Sequence, residues 1–295
     1  MRTVYLGTSE FAAGVLRALA RSQHRPWLVV TRPDRPRGRG RRLSSPPVAD
    51  VARELEIELL QPAQVNDEIA RAKIAAAAPD VVVVCAFGAL IKEPLLSDFE
   101  MLNVHPSLLP RWRGAAPIER AIMAGDERTG VSIMQLTAGL DSGPVCAQVG
   151  VAIEPEDTYG TLAARLEMLG ADLLIQALDE RPPCAEQDDV GATYAEKLTA
   201  EERLLDPSHP AVELARRVRA LTPHIGAAIM LTDGSRLGVW EVRVVEAESL
   251  TPGELSMAGP RPRLACADGA LELITVQPPG KRPMSGEDYL RGHRP

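Results

Sequence analysis

Three polar residues whose types and spacing suit acid–base chemistry stand out in the middle of the chain. Asn103 and His105 alternate at the end of an apolar run, in the stretch "NVHPSLLPRWRG". Extended backbone points residues two apart to the same side. Asp141 lies in "TAGLDSGPV", in the turn between two β-like runs. Because open α/β sheets bind ligands beyond the carboxyl ends of their strands, the three side chains are predicted to meet at one sheet edge.

This trio contains no nucleophile. Ser107 is the only nearby hydroxyl and no GxSxG turn surrounds it, which disfavours a covalent acyl-enzyme. Direct acyl transfer fits better, because an amide and an imidazolium can stabilise a developing oxyanion while a carboxylate keeps the imidazole protonated and relays a proton from an amine. The alternative is structural, since an Asn-x-His pair at a strand end is often only a cap or a satisfied pair.

The first half of the chain alternates β-branched runs with segments of helical period. This pattern predicts βαβ units in a Rossmann-like, mostly parallel α/β sheet. The run "VVVVCA" shows no alternation, so both of its faces are expected to be buried in the sheet centre. The predicted strands are 3–6, 27–31, 80–85, 102–104, 131–136 and 145–153, the last of them antiparallel at the edge. The predicted helices are 10–21, 48–55, 118–124 and 159–178.

The character of the sequence changes after residue 180, where it becomes polar and rich in Pro. We therefore predict a catalytic domain at 1–180, a linker at 181–208 and a C-terminal domain at 209–295. The last part begins with the helical pattern "AVELARRVRALT" and continues as β-like segments with an Asp-Gly turn at 233–234. A small β-barrel, with an oligonucleotide-binding type as one option, is the predicted fold.

The charge of the chain is unevenly distributed. The net charge is −7, but residues 32–42, "RPDRPRGRGRR", carry six Arg and one Asp, so this loop is +5 and the rest sums to −12. Its Gly and Pro residues rule out a regular helix or a central strand and predict a mobile arm. Arginine suits phosphate recognition, so a nucleic-acid contact is expected to be local to the loop; the alternative is an ordinary solvated surface.

Several other classes of protein are disfavoured. "GTSEFAAG" lacks the GxGxxG spacing and no GxxxxGK[ST] motif occurs, which argues against nicotinamide and ATP. His24, His209, His224 and His293 show no ligand spacing, so no metal site is expected. The four cysteines contain no CxxC pair, which speaks against a zinc knuckle or a disulfide framework. Without a signal-like or membrane-length apolar run, we expect a cytoplasmic protein. We also expect it to be a monomer.

The stretch from Asn103 to Val145, with its Asn-x-His-x-Ser-Leu-Leu-Pro and downstream Leu-Asp-x-Gly, resembles the catalytic core of the 10-formyltetrahydrofolate-dependent formyltransferases. That pattern is specific for the family but does not choose the acceptor. "YLGTSEFA", "TRPDRPRGRGRRLSSPPV", "TYAEKLTAEE" and "QPPGKRPMS" are similar to the members that formylate methionyl initiator tRNA. With them, the resemblance covers nearly the whole chain.

The resemblance implies transfer of a formyl group from 10-formyltetrahydrofolate to the α-amino group of methionyl initiator tRNA, with no metal. Asn103 and His105 would polarise the formyl oxygen, and Asp141 would position His105 and aid proton transfer. The segment implied to line the folate site is Ser107, Leu108, Leu109 and Pro110. The stretch "CAFGALI" matches the pterin-pocket loop through Phe87, Gly88 and Leu90, with Phe87 where Tyr is frequent.

The same resemblance implies that basic residues contact the tRNA. They are Arg37, Arg39, Arg41 and Arg42 of the loop and Arg216 and Arg217 of the C-terminal helix. Two alternatives stay open. A formyltransferase acting on an amino-sugar nucleotide or another small amine would have less reason for the arginine loop. A non-catalytic tRNA-binding protein would have no need of the polar trio.

Overall fold

The computed structural model describes residues 1–37, 42–246 and 251–293. The chain forms two compact units. The first comprises Met1–Pro117, Thr129–Val151 and Ala163–Ala195, and the second comprises Ile118–Arg128, Ala152–Leu162 and Glu196–Pro295. The segment predicted as a linker, 181–208, is thus divided between them, with residues up to Ala195 in the first unit.

The first half of the chain follows the alternating pattern that the sequence predicts. In chain order it contains β1 (Thr3–Gly7), α1 (Glu10–Arg21), β2 (Pro26–Val30), β3 (Arg35–Arg37), β4 (Arg42–Ser44), α2 (Pro47–Glu54), β5 (Glu58–Leu60), α3 (Glu68–Ala76), β6 (Val81–Cys85), α4 (Leu95–Asp98) and β7 (Met101–His105). It continues with β8 (Arg113–Gly114), α5 (Pro117–Ala124), β9 (Arg128–Gln135), β10 (Val145–Ala152), α6 (Tyr159–Glu180) and β11 (Tyr194–Ala195).

Seven of the described strands form one sheet in the order β10-β9-β7-β6-β1-β2-β5. The pairs β1–β2, β1–β6, β2–β5 and β6–β7 are parallel, and β7–β9 is antiparallel. This confirms the mostly parallel, Rossmann-like sheet and the edge position of β10. Strand β6 is buried along its whole length, as its unbroken apolar run predicts. The direction of β10 stays a prediction.

Local sequence explains why α1 begins where it does. The Ser9 side chain caps the helix by accepting a hydrogen bond from the Ala12 amide, and the apolar face from Phe11 to Ala20 packs inward. Helix α3 was not predicted. Of its residues only Ala70 and Ile74 are buried, which makes its apolar stripe too narrow to identify by period alone.

The two ends of the arginine loop pair with each other and form a separate hairpin. Strands β3 and β4 pair antiparallel, with Arg35 opposite Ser44, and form a two-stranded sheet of their own. For Arg35–Arg37 and Arg42–Ser44, this confirms the prediction that the region is neither a regular helix nor a central strand. Residues 38–41 of the predicted mobile arm (32–42), among them Arg39 and Arg41, lie outside the described residues, and the mobility of the arm stays a prediction.

The second unit is built around an antiparallel sheet and a covering helix. In chain order it contains a 3₁₀ turn (Glu201–Arg203), α7 (Ala211–Leu221), β12 (Ala227–Met230), β13 (Arg236–Val245), β14 (Leu255–Ser256), β15 (Arg263–Ala265), β16 (Ala270–Gln277), β17 (Met284–Ser285) and α8 (Gly286–His293). The described strands pair in the order β12-β13-β16-β15-β14, with β17 on β16. Apolar residues of α7 and the strands share one buried cluster. The C-terminal strand domain is confirmed, and its closure into a barrel stays a prediction.

Candidate active site

The structure brings the three predicted polar residues together. Asn103 and His105 are buried on β7, and His105 is its last residue. The Asn103 amide nitrogen lies 3.4 Å from Asp141 Oδ1, and His105 Nδ1 lies 3.6 Å from Asp141 Oδ2. The two-residue spacing on a strand therefore places the amide and the imidazole on the same carboxylate, which comes from the β9–β10 loop.

A backbone carbonyl orients the imidazole of His105. Its Nε2 lies 2.9 Å from the Trp112 carbonyl oxygen, and because a carbonyl only accepts, Nε2 must carry a proton. That contact leaves Nδ1 directed to Asp141. Trp112 adopts a left-handed φ of 63°, and its amide donates to Thr193 Oγ1 at 2.9 Å. The orientation of His105 thus depends on a residue far along the chain.

Asp141 is held by contacts that sequence reasoning did not identify. Its φ of 45° lies in the left-handed region, which is uncommon for residues other than Gly. The Gly114 amide donates to Asp141 Oδ2 at 2.8 Å. A Cβ on Gly114 would lie 2.7 Å from the Ala195 carbonyl oxygen, so the close approach of β8 to β11 requires glycine there. The Gln187 amide donates to the Asp141 carbonyl oxygen at 2.8 Å. No local pattern marks Gly114 or Gln187 as site residues.

The stretch after His105 forms a hydrogen-bonded turn. Ser107 is buried, and its hydroxyl donates to the Arg111 carbonyl oxygen at 2.6 Å. Ser132 Oγ donates to the Ser107 carbonyl and accepts from the Leu109 amide. Ser107 therefore has a structural hydrogen bond in place of a free hydroxyl. Leu108 packs against Gly130, whose added Cβ would lie 2.6 Å from Leu108 Cδ2.

The predicted folate-wall and pterin-loop residues border two separate clefts within the first unit. Leu109 and Pro110 border a cleft of about 440 Å³ beside β10. Phe87 and Leu90, which follow β6, border another cleft of about 340 Å³ together with Arg32. Phe87 is buried in the core cluster, whereas Leu90 is exposed. Gly88 has a φ of 71°, and its carbonyl accepts from Arg32.

The predicted tRNA-contacting residues occupy different environments. The backbones of Arg37 and Arg42 are paired in register in the β3–β4 hairpin. On α7, Arg216 and Arg217 are half-buried, and the Arg216 guanidinium lies over Gly125. The neighbouring Arg219 donates to the Asp157 carbonyl oxygen at 2.9 Å, so the helix uses part of its basic face within its own unit.

The cysteines differ from the sequence prediction in one respect. Cys146 of β10 and Cys184, 38 residues apart, form a disulfide. The two meet because the chain after α6 runs antiparallel beside β10, with Val145 bridged to Ala185, a long-range contact that spacing does not reveal. Burial raises the pKa of the Cys85 thiol to about 12, so this cysteine is not a thiolate nucleophile at neutral pH.

The described residues contain neither a cluster of metal ligands nor a membrane-spanning helix. Within residues 1–37, 42–246 and 251–293, no group of three or more His, Cys, Asp or Glu side chains could hold a metal ion. In the same part of the chain, no helix is long and apolar enough to span a membrane.

Comparisons with known proteins match both the fold and this site region. The family model of formyl transferases matches residues 1–178, and that of the formyl transferase C-terminal domain matches residues 197–294. These two matches and the geometry above define the class as formyl transferase.

Two relatives indicate which family of formyl transferases the chain belongs to. Methionyl-tRNA formyltransferase of Halorhodospira halophila is 44% identical over 99% of this chain and 96% of the relative. The Coxiella burnetii protein of the same name is 42% identical, also over 99% and 96%. The chain belongs to the methionyl-tRNA formyltransferase family.

Among solved structures, HypX from Aquifex aeolicus in complex with tetrahydrofolic acid matches with a TM-score of 0.66 and 16% identity, over 98% of this chain and 47% of HypX. This chain thus spans about half the length of HypX. At that identity the similarity supports the fold alone.

Proposed function

We propose that this protein transfers the formyl group of 10-formyltetrahydrofolate to the α-amino group of methionyl initiator tRNA. The products are formylmethionyl-tRNA and tetrahydrofolate. One observation carries the proposal: Asn103, His105 and Asp141 converge at the carboxyl end of β7, with 3.4 Å and 3.6 Å between the first two side chains and the carboxylate, in a chain of this family.

In the proposed reaction the amino nitrogen attacks the formyl carbon directly. As the new C–N bond forms, the formyl oxygen becomes an oxyanion. A second N–H of the Asn103 amide and a proton on His105 Nδ1 stabilise that charge. Asp141 accepts the proton that leaves the amine. The bond from the formyl carbon to N10 of the folate then breaks, and N10 takes the proton.

Direct transfer fits the side chains near the site. The Ser107 hydroxyl is committed to the Arg111 carbonyl, and the Cys85 thiol has a pKa of about 12 because of burial. Neither group is a ready nucleophile for an acyl-enzyme. The proposed mechanism therefore needs no covalent enzyme intermediate.

The proposed folate wall has two parts. The turn of Ser107, Leu108, Leu109 and Pro110 borders the cleft beside β10, and the loop of Phe87, Gly88 and Leu90 borders the other cleft. Leu90 is exposed and offers apolar surface to a flat ring, whereas Phe87 is buried. The wall is supported by the hydrogen bonds that hold the backbone of Leu109, through Ser132 and Gln148.

The acceptor experiment tests the proposed function. Purified protein is incubated with 10-formyltetrahydrofolate and, separately, methionyl initiator tRNA, methionyl elongator tRNA or an amino-sugar nucleotide. We expect formylation of the initiator tRNA. The control is Asn103→Ala, which removes one oxyanion donor and is expected to lower the rate by about a hundredfold. Formylation of only the sugar nucleotide would replace the proposed acceptor.

The proposed tRNA contacts are tested by neutralising the arginine loop. In the four-site variant, Gln replaces Arg37, Arg39, Arg41 and Arg42. We expect weaker tRNA use, because contacts to phosphate depend on charge. We expect unchanged binding of folinic acid, because the proposed folate wall contains none of these arginines. A second variant neutralises Arg216 and Arg217.

The matched control neutralises four arginines of the first unit that lie outside the loop. They are Arg17, Arg21, Arg25 and Arg181. This variant carries the same change in net charge, so an equal loss of tRNA use would show that overall charge matters and the loop does not. Equal loss of tRNA use and folate binding in the loop variant would also contradict the assignment.

A further inference from the structure

Gln187 makes two hydrogen bonds to the loop that carries Asp141. Its side-chain nitrogen donates to the Asp141 carbonyl oxygen at 2.8 Å and to the Gly143 carbonyl oxygen at 2.7 Å. Gln187 lies 46 residues after Asp141, in the stretch "CAEQDD" that follows α6. One amide group thus joins two carbonyls of the same loop and sets the distance between them.

The loop needs such support because its backbone is unusual. Asp141 has a φ of 45°, a left-handed conformation that is strained for a residue with a Cβ. At Gly143 an added Cβ would lie 2.1 Å from the Gln135 carbonyl oxygen, so the chain passes close to β9. External donors are therefore required to keep the two carbonyls, and with them the Asp141 side chain, in one orientation.

The orientation of the Gln187 amide is itself determined by a buried cation. Arg113 Nε donates to Gln187 Oε1 at 3.0 Å, and since Arg cannot accept, the amide oxygen must face it. The Arg113 side chain is only 4% exposed, and its Nη1 lies 2.9 Å from Asp189 Oδ1. The amide nitrogen is consequently left to face the Asp141 loop, without ambiguity between the two ends of the amide.

Arg113 also links the two sets of contacts on Asp141. It directly precedes Gly114, whose amide donates to Asp141 Oδ2 at 2.8 Å. Gln187 holds the backbone of Asp141 from one side, and Gly114 holds its carboxylate from the other. Both holding groups are connected through Arg113, so a shift of Gln187 is transmitted to the carboxylate that faces His105.

We propose that Gln187 is a positioning residue for Asp141, an inference that rests on the proposed function. Gln187 also borders the cleft of Leu109 and Pro110, and the proposal assigns it to the chemical step and not to the binding of folate or tRNA. It orients the carboxylate that receives the proton from the amine, and its loss lowers the rate of the chemical step without weakening the binding of either substrate. A displacement of a catalytic group by about 1 Å costs about a hundredfold in rate, which sets the size of the effect.

Gln187→Glu is the most informative variant. The new carboxylate still accepts from Arg113, so the buried cation keeps a partner, but it has no N–H for the carbonyls of Asp141 and Gly143. We expect kcat to fall by about ten- to a hundredfold, with both KM values within about twofold of wild type. Folinic acid binding is expected to be unchanged, whereas the Tm is expected to fall because two carbonyl oxygens lose their donor. Gln176→Glu, an exposed site on α6, is the matched control and is expected to behave as wild type.

Asp141→Asn is measured in parallel so that two kinds of failure can be told apart. If Asp141→Asn is impaired and folded Gln187→Glu has wild-type kcat, the positioning role is wrong while the proposed site stands. If Asp141→Asn itself has wild-type kcat, the site assignment and the positioning role fail together. An increase in KM alone in Gln187→Glu would also overturn the inference, because it would indicate substrate binding.

Two further arrangements keep the test decisive. Should Gln187→Glu fail to fold, Gln187→Asn retains the amide but shortens its reach by one methylene, and the same fall in kcat is expected. Should the wild type formylate only an amino-sugar nucleotide, the proposed acceptor is wrong, and the same comparison of kcat is made with that acceptor. A loss of kcat there would still support the role of Gln187.

Discussion

Two carboxylates inside the two units of the molecule are held in opposite ways. Glu272 on β16 has a side chain that is 5% exposed, and three guanidinium groups approach it. They belong to Arg243, Arg261 and Arg263, the last two at 3.5 Å and 3.8 Å. Asp141 is 14% exposed, and its carboxylate faces an amide, an imidazole and a backbone N–H at 3.4, 3.6 and 2.8 Å.

In the proposed reaction, the difference separates a structural acid, Glu272, from a reactive one, Asp141. The hydrogen bond from Arg243 lowers the pKa of the Glu272 carboxyl, so its charge is committed to an ion-pair cluster that joins β13, β15 and β16. Asp141 has neutral or titratable partners, two of them at long distance, which leaves its oxygens able to take part in proton transfer. The chemical types of their contacts distinguish Glu272 from Asp141 more than their burial does.

The largest effect is expected for Asp141→Asn. The amide keeps the size of the side chain but cannot accept the proton of the amine, so kcat is expected to fall by about a hundredfold or more, with little change in Tm. Steady-state formylation measures the first and calorimetry the second. Asp172→Asn, at an exposed position on α6, is the control. Near-normal formylation by folded Asp141→Asn would contradict the distinction.

Glu272→Gln should show the reverse pattern. It leaves three arginines around a neutral amide, so we expect a loss of about 1–3 kcal/mol in the free energy of unfolding and a kcat close to that of wild type at a permissive temperature. Chemical denaturation of the full chain measures the loss. Glu241→Gln, at an exposed position on β13, controls for the change in charge. A drop in kcat without a loss of stability would show that Glu272 is not a structural acid.

The pH dependence of stability sharpens the same comparison. Because the folded state lowers the pKa of Glu272 from its ordinary value of 4.5, this group stabilises the fold above pH 4.5, and the contribution disappears as pH falls through the lowered value. The difference in unfolding free energy between wild type and Glu272→Gln is therefore expected to shrink below about pH 4.5. A difference that stays constant down to the lowest pH would show that charge is not its source.

The smallest effect is expected for Arg243→Gln. Arg243 is 61% exposed, and two further arginines remain near Glu272, so the loss is expected to be below about 1 kcal/mol. Arg261 is less exposed and also pairs with Glu287 at 2.7 Å, so Arg261→Gln is expected to cost more. Denaturation midpoints compare the two. The opposite order would mean that the hydrogen bond of Arg243 outweighs its exposure to solvent.

The elements and the central trio could be predicted because their signals are local. Helix α1 coincides with the predicted 10–21, β6 shows the continuous burial expected of its apolar run, and Asn103 and His105 share a side because strands repeat every two residues. The family and its C-terminal strand domain were likewise recognisable from long spaced motifs. Residues 38–41 of the arginine loop lie outside the described residues, and the predicted arm there stays a prediction.

The parts that could not be predicted depend on contacts between distant segments. The parallel pairing of β8 with β11 brings Thr193 to Trp112, and through it orients His105. The polar composition of residues 181–208 predicts a linker, whereas Gln187 and Thr193 within this segment form hydrogen bonds to the site. The disulfide of Cys146 with Cys184 belongs to the same stretch, and its 38-residue spacing carries no signal.

The sequence by itself determined which groups are present: an amide and an imidazole in alternation on a strand, and an acid in a glycine-bounded turn. Periodicity and motif spacing act over a few residues and so survive in one dimension. Tertiary structure alone decided that Asp141 would have Gly114 and Gln187 as its supports, and that Arg113 would be a buried link instead of a surface cation. Those assignments follow from which backbone groups are buried together and must be satisfied, and only the folded chain determines that.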